Sequence, residues 1–345
     1  MRQSKQISGK LLLPGGVLCG SLLAAALSLS SCADPEASSE QAMTIAVIPK
    51  GTTHEFWKAI HAGAEKARRE LAAAGIEVEL IWKGPLKEDD REQQIQVVEN
   101  FIGQQVEGII LAPLDADALV APAEAASANG IPVVIIDSDL HSENRVSFVA
   151  TDNYTGGVLA AERLGELLGG SGRAILLRYH VGSASTEARE AGFLDTMRDR
   201  FSDIQLLSTE QHAGATRETA YQASQNLLNR FGRAVDGIFT PNESSSVGML
   251  LALRDIGRAG GDVAFVGFDA GSSLVEALEL GDIQGLVVQN PMEMGYRSVL
   301  LMVEHLNGGD VPARYDSGVI LVTPDELQQP EIRTLLHPPI AEYLE

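Results

Sequence analysis

The chain has 345 residues, 45% of them hydrophobic, with 47 Asp and Glu against 26 Lys and Arg and a formal charge of -21. That is length for two domains of ordinary size, with the apolar content of a packed protein rather than a disordered one. The acidic balance excludes nucleic acid as a partner, because phosphate recognition needs clustered cations; the need for a soluble surface accounts for the acidity on its own.

At the N-terminus Arg2, Lys5 and Lys10 precede an apolar run over 11–29, and the run ends Leu29-Ser30-Ser31-Cys32. The pattern fits a secretory signal over 1–31. Leu-Ser-Ser-Cys resembles a bacterial lipobox, which implies cleavage before Cys32, acylation of its thiol, and contact with a membrane only through that lipid anchor. A simple signal peptide or a membrane anchor is the plainer alternative. Cys19 is the only other cysteine, so the mature protein is expected to fold without a disulfide. Residues 32–42 are polar and without apolar period, and are expected to form a tether.

From Met43 short β-branched runs alternate with helical segments. The spacing predicts strand 45–48, helix 55–74 closed by Gly75, strand 78–82, helix 89–104 with Ile95, Val98, Phe101 and Ile102 inward, strand 108–112, helix 117–129 and strand 131–137. After a strand at 146–150 the pattern starts again: helices 154–168, 185–201, 217–231, 244–256 and 272–280 alternate with strands 173–178, 204–209, 237–240, 263–267 and 285–289. A helix 291–307 and a last strand 318–322 follow, and the tail from Pro324 shows no sustained period, so it reads as an irregular wrap or a flexible end. Regular alternation with few hairpin turns predicts an α/β protein with two parallel sheets flanked by helices.

Catalytic signatures are missing. Gly169-Gly170-Ser171-Gly172 follows a helix and precedes a strand, the reverse of a nucleotide-binding loop, and no Gly-x-Ser-x-Gly elbow occurs. His54 and His61 are seven apart, with no Cys cluster or His-x-x-x-His pair to hold a metal; two solvent-exposed histidines on a helix explain them as well as any ligand role. The chain reads as neither an enzyme nor a cofactor binder.

Polar residues recur where strands end: Asp137 after 133–136, Asn242 and Glu243 after 238–241, Asp269 after 265–268, Gln289 and Asn290 after 286–288. Helix capping and turn formation put such residues there in any case. Ligands of parallel sheets nevertheless sit at the carboxyl ends of strands, and four such positions together fit a crevice lined with hydrogen-bonding groups. Lys50, Thr53 and His54 in the first strand–helix loop would face it, with Phe56 and Trp57 as apolar walls. Carboxylates and amides suit hydroxyl groups, and aromatic rings suit the C–H face of a sugar. Arg189 could add a forked pair of donors or be an ordinary surface arginine.

Thr-Ile-Ala-Val-Ile at 44–48, Ile-Pro-Val-Val-Ile-Ile-Asp at 131–137, Thr-Asp-Asn-Tyr-Thr-Gly-Gly at 151–157, Ala-Arg-Glu-Ala-Gly-Phe at 188–193 and Val-Gly-Phe-Asp at 266–269 resemble the periplasmic sugar-binding proteins of the ribose-binding type. The resemblance runs from about 43 to 325. It implies the type I periplasmic binding fold, two Rossmann-like lobes over 43–151 with 290–317 and over 152–289 with 318–327, leaving a tail at 328–345. Three hinge crossings would lie near 151–152, 289–290 and 317–318. It also implies a monomer that closes on one monosaccharide or similar polar ligand and delivers it to an ABC permease and ATPase, or presents its closed form to a chemoreceptor or histidine kinase.

The family's contact positions fall on Asp137, Arg189, Asn242, Asp269 and Gln289, and its stacking aromatics on Phe56 and Trp57. Ser138, Ala112 and Ala215 replace an arginine, an asparagine and an aromatic of the ribose binders. Ile-Pro-Lys at 48–50 and Asp-Ser-Asp at 137–139 look like relatives that bind autoinducer-2 or rhamnose, although the autoinducer-2 binders do not keep the Asp269 equivalent. A third specificity is implied, and the cationic Lys50, with His54 beside it, suggests negative charge or an extra oxygen on the ligand at that end.

Overall fold

In the computed structural model, residues 42–344 are described; the expected signal peptide, Cys32 and nearly all of the tether lie outside them. Two six-stranded sheets organise the chain. The first half supplies β1 (Met43–Ile48), α1 (Glu55–Ala73), β2 (Val78–Trp82), α2 (Arg91–Gln104), β3 (Gly108–Leu111), α3 (Val120–Ala128), β4 (Val133–Ile136) and β5 (Ser147–Ala150). Then come α4 (Asn153–Leu167), β6 (Gly172–Leu176), α5 (Ala184–Arg200), β7 (Ile204–Ser208), α6 (Arg217–Phe231), β8 (Gly237–Phe239), α7 (Glu243–Asp255), β9 (Ala264–Phe268), α8 (Ser272–Leu280) and β10 (Gly285–Gln289). The remainder is α9 (Pro291–Leu306), β11 (Arg314–Asp316), β12 (Val319–Val322), α10 (Pro330–Leu336) and α11 (Ile340–Leu344).

One sheet runs β11-β5-β4-β3-β1-β2 and the other β12-β10-β9-β8-β6-β7. Every pairing is parallel except β12 on β10, so the second sheet is mixed at its edge rather than wholly parallel. Three short segments carry the chain between the lobes: 151–152 between β5 and α4, Asn290 between β10 and α9, and 317–318 between β11 and β12; α9 packs on α1 and beneath β3, β4 and β5.

The alternation of side chains along each strand explains the layers. In the first sheet Ile45, Val47, Ile110, Val134 and Ile136 face α1 and α9, while Ala46, Ile48, Ile109, Leu111, Val133 and Ile135 face α2 and α3. On α2 the inward residues are Gln94, Val97, Val98 and Phe101; the expected Ile95 and Ile102 lie half-buried at the flank of that core. In the second sheet α4 and α5 come so close that a Cβ on Gly157 would lie 1.9 Å from the Arg189 carbonyl oxygen, and one on Gly192 would lie 2.1 Å from that of Tyr154. That approach, open only to glycine, places Arg189 beside the start of α4.

Two parts of the chain differ from expectation. β11 was not visible because it is three residues long with charged ends. The tail holds two short helices. Leu327, Ile332, Leu335 and Leu336 pack on the core of the second lobe, while α11 lies on α1 of the first, where Arg69 Nη1 and Nη2 donate to the carbonyls of Glu342 (2.8 Å) and Tyr343 (2.9 Å). Its contacts are too few and too widely spaced to make a period, yet they fix it across both lobes.

Candidate ligand-binding cleft

The carboxyl ends of both sets of parallel strands face each other across one cleft. Lys50, His54, Phe56, Trp57, Asp137, Arg189, Asn242, Asp269 and Gln289 all line it, and so do Glu88, Tyr179, Ser185, Thr186 and Glu243. Only about 30 Å³ of open space is left between these side chains, room for about two waters, so the two walls stand nearly in contact. Thr53 does not reach it; this exposed residue lines a separate opening on the far side of His54.

Arg189 is a cleft residue and not a surface one: it is 2% exposed. Its Nε donates to Asn153 Oδ1 at 2.8 Å, its Nη1 to the Pro241 carbonyl at 2.9 Å, and its guanidinium lies 3.9 Å above the Phe268 ring. Its Nη2 is buried and has no partner, as is Oε1 of Gln289, also 2% exposed. Buried polar atoms are nearly always hydrogen-bonded, so a donor and an acceptor left open in one cleft mark where another molecule's polar groups fit.

Asp269 stands between them. Its Oδ1 accepts from Gln289 Nε2 at 2.7 Å and its Oδ2 from the Glu243 N–H at 2.8 Å. Burial pushes its pKa up to about 6, against the pull of Arg189. Asn242 does what its residue type does on its own, capping α7 through a reciprocal pair with Ser245 while its Nδ2 donates to Ser244 Oγ at 3.0 Å.

The first lobe's wall is built differently from expectation. Lys50 Nζ sits 3.3 Å from Asp137 Oδ2 and donates to Ser183 Oγ and Ser185 Oγ, each at 3.2 Å. An ammonium has three donors, and all three are engaged, so its charge is already balanced. His54 is buried, not exposed, and its Nδ1 lies 2.6 Å from Glu88 Oε1. Burial acts against the charged imidazolium, but Glu88 outweighs it and the pKa of His54 rises to about 9; Glu88 falls to about 2, held there by His54 and by the Tyr179 and Trp57 hydrogen bonds in spite of its burial. Phe56 and Trp57 meet edge to face with ring centres 5.0 Å apart.

The lobes touch around the cleft. Besides the Lys50 contacts, Phe56 N–H donates to Glu243 Oε2 (3.1 Å), Ser185 N–H to Ser138 Oγ (3.1 Å), Tyr179 Oη to Glu88 Oε2 (2.5 Å), Ala116 N–H to the Gly182 carbonyl (2.9 Å), and Ser272 through both N–H and Oγ to Glu55 (2.8 Å each). Leu335, Leu336, His337 and Pro338 of the tail wall off an adjoining cavity of about 240 Å³ that shares Phe56, Glu243, Asp269 and Gln289 with the cleft. Ser138 forms a cross-lobe contact, Ala112 is wholly buried, and Ala215 lies outside the cleft. The cleft walls that sequence reasoning missed are Glu88 and Tyr179, in loops, and Ser185 and Thr186, in the first turn of α5. Glu243, at the start of α7, is the wall residue that the strand-end rule pointed to.

Among the described residues no group of acidic, His or Cys side chains could hold a metal, and no helix is long and apolar enough to cross a membrane. The family model for the periplasmic binding protein domain matches residues 45–310. A xylitol-binding protein of Mycolicibacterium smegmatis is 29% identical over 213 residues, 62% of this chain and 59% of that protein, so the chain spans less than two thirds of that relative's length. A solved periplasmic component of an ABC-type sugar transport system from Hahella chejuensis is 36% identical, with TM-score 0.76, over 81% of this chain and 99% of that one. A solute-binding protein of an ABC transporter from Agrobacterium vitis, solved with bound D-fucose, is 31% identical, with TM-score 0.81, over 85% of this chain and 100% of that one.

Proposed function

The chain belongs to the periplasmic binding protein family, and from that premise we propose that it captures one neutral monosaccharide or sugar alcohol between its lobes and delivers it to an ABC importer. The observation that carries the reading is the pair of open, buried atoms, Arg189 Nη2 and Gln289 Oε1, in a cleft walled by both lobes. Neutral rather than acidic is the choice of charge because Lys50, His54 and Glu243 each have an opposite partner in place, in Asp137, Glu88 and Arg217. An anionic ligand would have to displace Asp137 from Lys50. Xylitol and D-fucose, named for two of the relatives, are both uncharged polyols.

The proposed contacts are Lys50, His54, Phe56, Trp57 and Asp137 from the first lobe and Arg189, Asn242, Asp269 and Gln289 from the second. The segments near 151–152, 289–290 and 317–318 serve as hinges between the lobes 43–151 with 290–317 and 152–289 with 318–327. The ligand favours the closed arrangement because only there do both walls reach it. Export, cleavage before Cys32, a lipid anchor on its thiol and a monomeric state complete the proposal; Leu-Ser-Ser-Cys supports the anchor. A thermal-shift screen of neutral sugars, polyols and sugar acids tests the reading. A ligand at 100 to 1,000 times its Kd stabilises by ~3 to 4 kcal/mol, and a screen in which only acidic sugars raise Tm would refute neutrality.

A further inference from the structure

Glu88 gathers more of the cleft than any residue that sequence reasoning selected. Its Oε1 accepts from Trp57 Nε1 at 2.6 Å and lies 2.6 Å from His54 Nδ1 in an ion pair, while its Oε2 accepts from Tyr179 Oη at 2.5 Å. His54 and Trp57 at one oxygen and Tyr179 at the other hold the group as the carboxylate, its pKa down at about 2. Trp57 and His54 belong to the first lobe and Tyr179 to the second, so the set is complete only with the lobes together. We propose that Glu88 is the positioning residue of this site, turning His54 so that its Nε2–H is a fixed donor to the ligand and, through Tyr179, completing that arrangement only on closure.

The chemistry of each donor makes the assignment one-directional. Indole N–H can only donate, so Oε1 stays an acceptor toward both Trp57 and His54. With Nδ1–H committed to Glu88, the second ring nitrogen is free for another partner. Nε2 makes no hydrogen bond among the described residues, and His54 lines both the cleft and the neighbouring opening beside Thr53. The groups facing the ring are Glu88 from the loop after β2, Glu243 at the start of α7 and Arg217 at the start of α6, with Lys87 and Glu218 along the rim of the neighbouring opening. The carboxylates prevail, so His54 carries both protons at neutral pH and offers Nε2–H. The ligand must therefore present an acceptor lone pair there, a ring, hydroxyl or carbonyl oxygen. Lys50, the other cationic side chain of this wall, is already occupied.

The inference rests on the capture reading, and Glu88→Gln tests both separately. The glutamine keeps the volume, and because Trp57 can only donate, its carbonyl must stay on the Trp57 and His54 side. Nδ1–H is retained, the ion pair is lost, and a neutral His54 then shows the ligand a bare Nε2 acceptor. NMR titration of the His54 ring in the intact protein should drop from about 9 to about 6.5 or below. Calorimetry with D-allose, D-fucose, D-arabinose and xylitol as probes should show wild-type affinity level between about pH 6.5 and 8, and variant affinity falling at least ~tenfold over the same interval, the size of a lost hydrogen bond to a charged group. An unshifted His54 titration, or a shifted one with level affinity, overturns the proposal. Should the variant not fold, Tyr179→Phe stands in: it should leave the His54 titration in place and weaken the probe's binding ~tenfold through faster release, and unchanged binding overturns the closure half. If no probe binds the wild type, the capture reading fails for these sugars, while the titration still decides whether Glu88 holds His54.

Discussion

Asp137 and Asp269 occupy matching places in the two lobes. Each directly follows the last residue of a parallel strand, each has a left-handed backbone with φ of 62° and 72°, and each N–H donates to the neighbouring strand, to Val149 at 3.0 Å and to Val287 at 2.9 Å. Such a backbone is uncommon outside glycine, though Asp and Asn tolerate it best. It is maintained here by the strand bond, and it turns each carboxylate into the cleft.

Asp269→Asn tests that pairing without disturbing the backbone, since Asn accepts the same φ. Affinity for the sugar should fall by about 1.5–3 kcal/mol, roughly 10- to 150-fold, as a charged acceptor is lost, with the fold unchanged by circular dichroism. Retained affinity in calorimetry would remove Asp269 from the site.

The same carboxyl sets a pH dependence. Its folded pKa of about 6 is above the ordinary 3.8, so the ligand-free protein binds the extra proton in that window and loses stability as pH rises through it. Ligand hydroxyls donating to Asp269 favour the ionised form. Binding should then expel a proton, and affinity should rise with pH up to about 6, by at most ~tenfold per unit, and level off above it. Calorimetry at pH 5 and 7 that found equal or stronger binding at pH 5 would show that Asp269 does not accept from the ligand.

Lys50→Met separates the two roles open to that lysine. Because Asp137 and two serine hydroxyls take up its ammonium, the variant should weaken a neutral sugar and the corresponding uronic acid by the same factor. A larger loss for the acid would restore Lys50 as a charge-reading residue.

The tail should contribute to stability through one end mainly. Leu336, buried in the core of the second lobe, should cost about 2–4 kcal/mol as Leu336→Ala, read from denaturant unfolding. Arg69→Ala, at the exposed contact with α11, should cost under about 1 kcal/mol. A reversed order would mean that the tail is held chiefly by the first lobe.

The sheets were legible because β-branched runs such as 45–48 and 133–136 leave no other period, and the strand-end rule pointed to eight of the nine proposed contacts, while Arg189, inside α5, was assigned to the site only through the resemblance. What was not legible is the state of those residues. Lys50 and His54 both read as free polar groups, and nothing in their local sequence shows that Asp137 lies 87 positions from one and Glu88 34 from the other. Glu88 itself follows Gly84, Pro85 and Lys87 in a stretch indistinguishable from an ordinary surface loop. The tail escaped because its apolar residues serve two different lobes, so they share no single face.

Titration calorimetry of the purified protein against single neutral monosaccharides and pentitols tests the central claim most directly, with Arg189→Ala measured beside it. One compound should bind one to one with Kd in the micromolar range or tighter, and the variant should lose it. If no such compound binds, or if the variant binds as well as the wild type, capture of a neutral sugar between these lobes is contradicted.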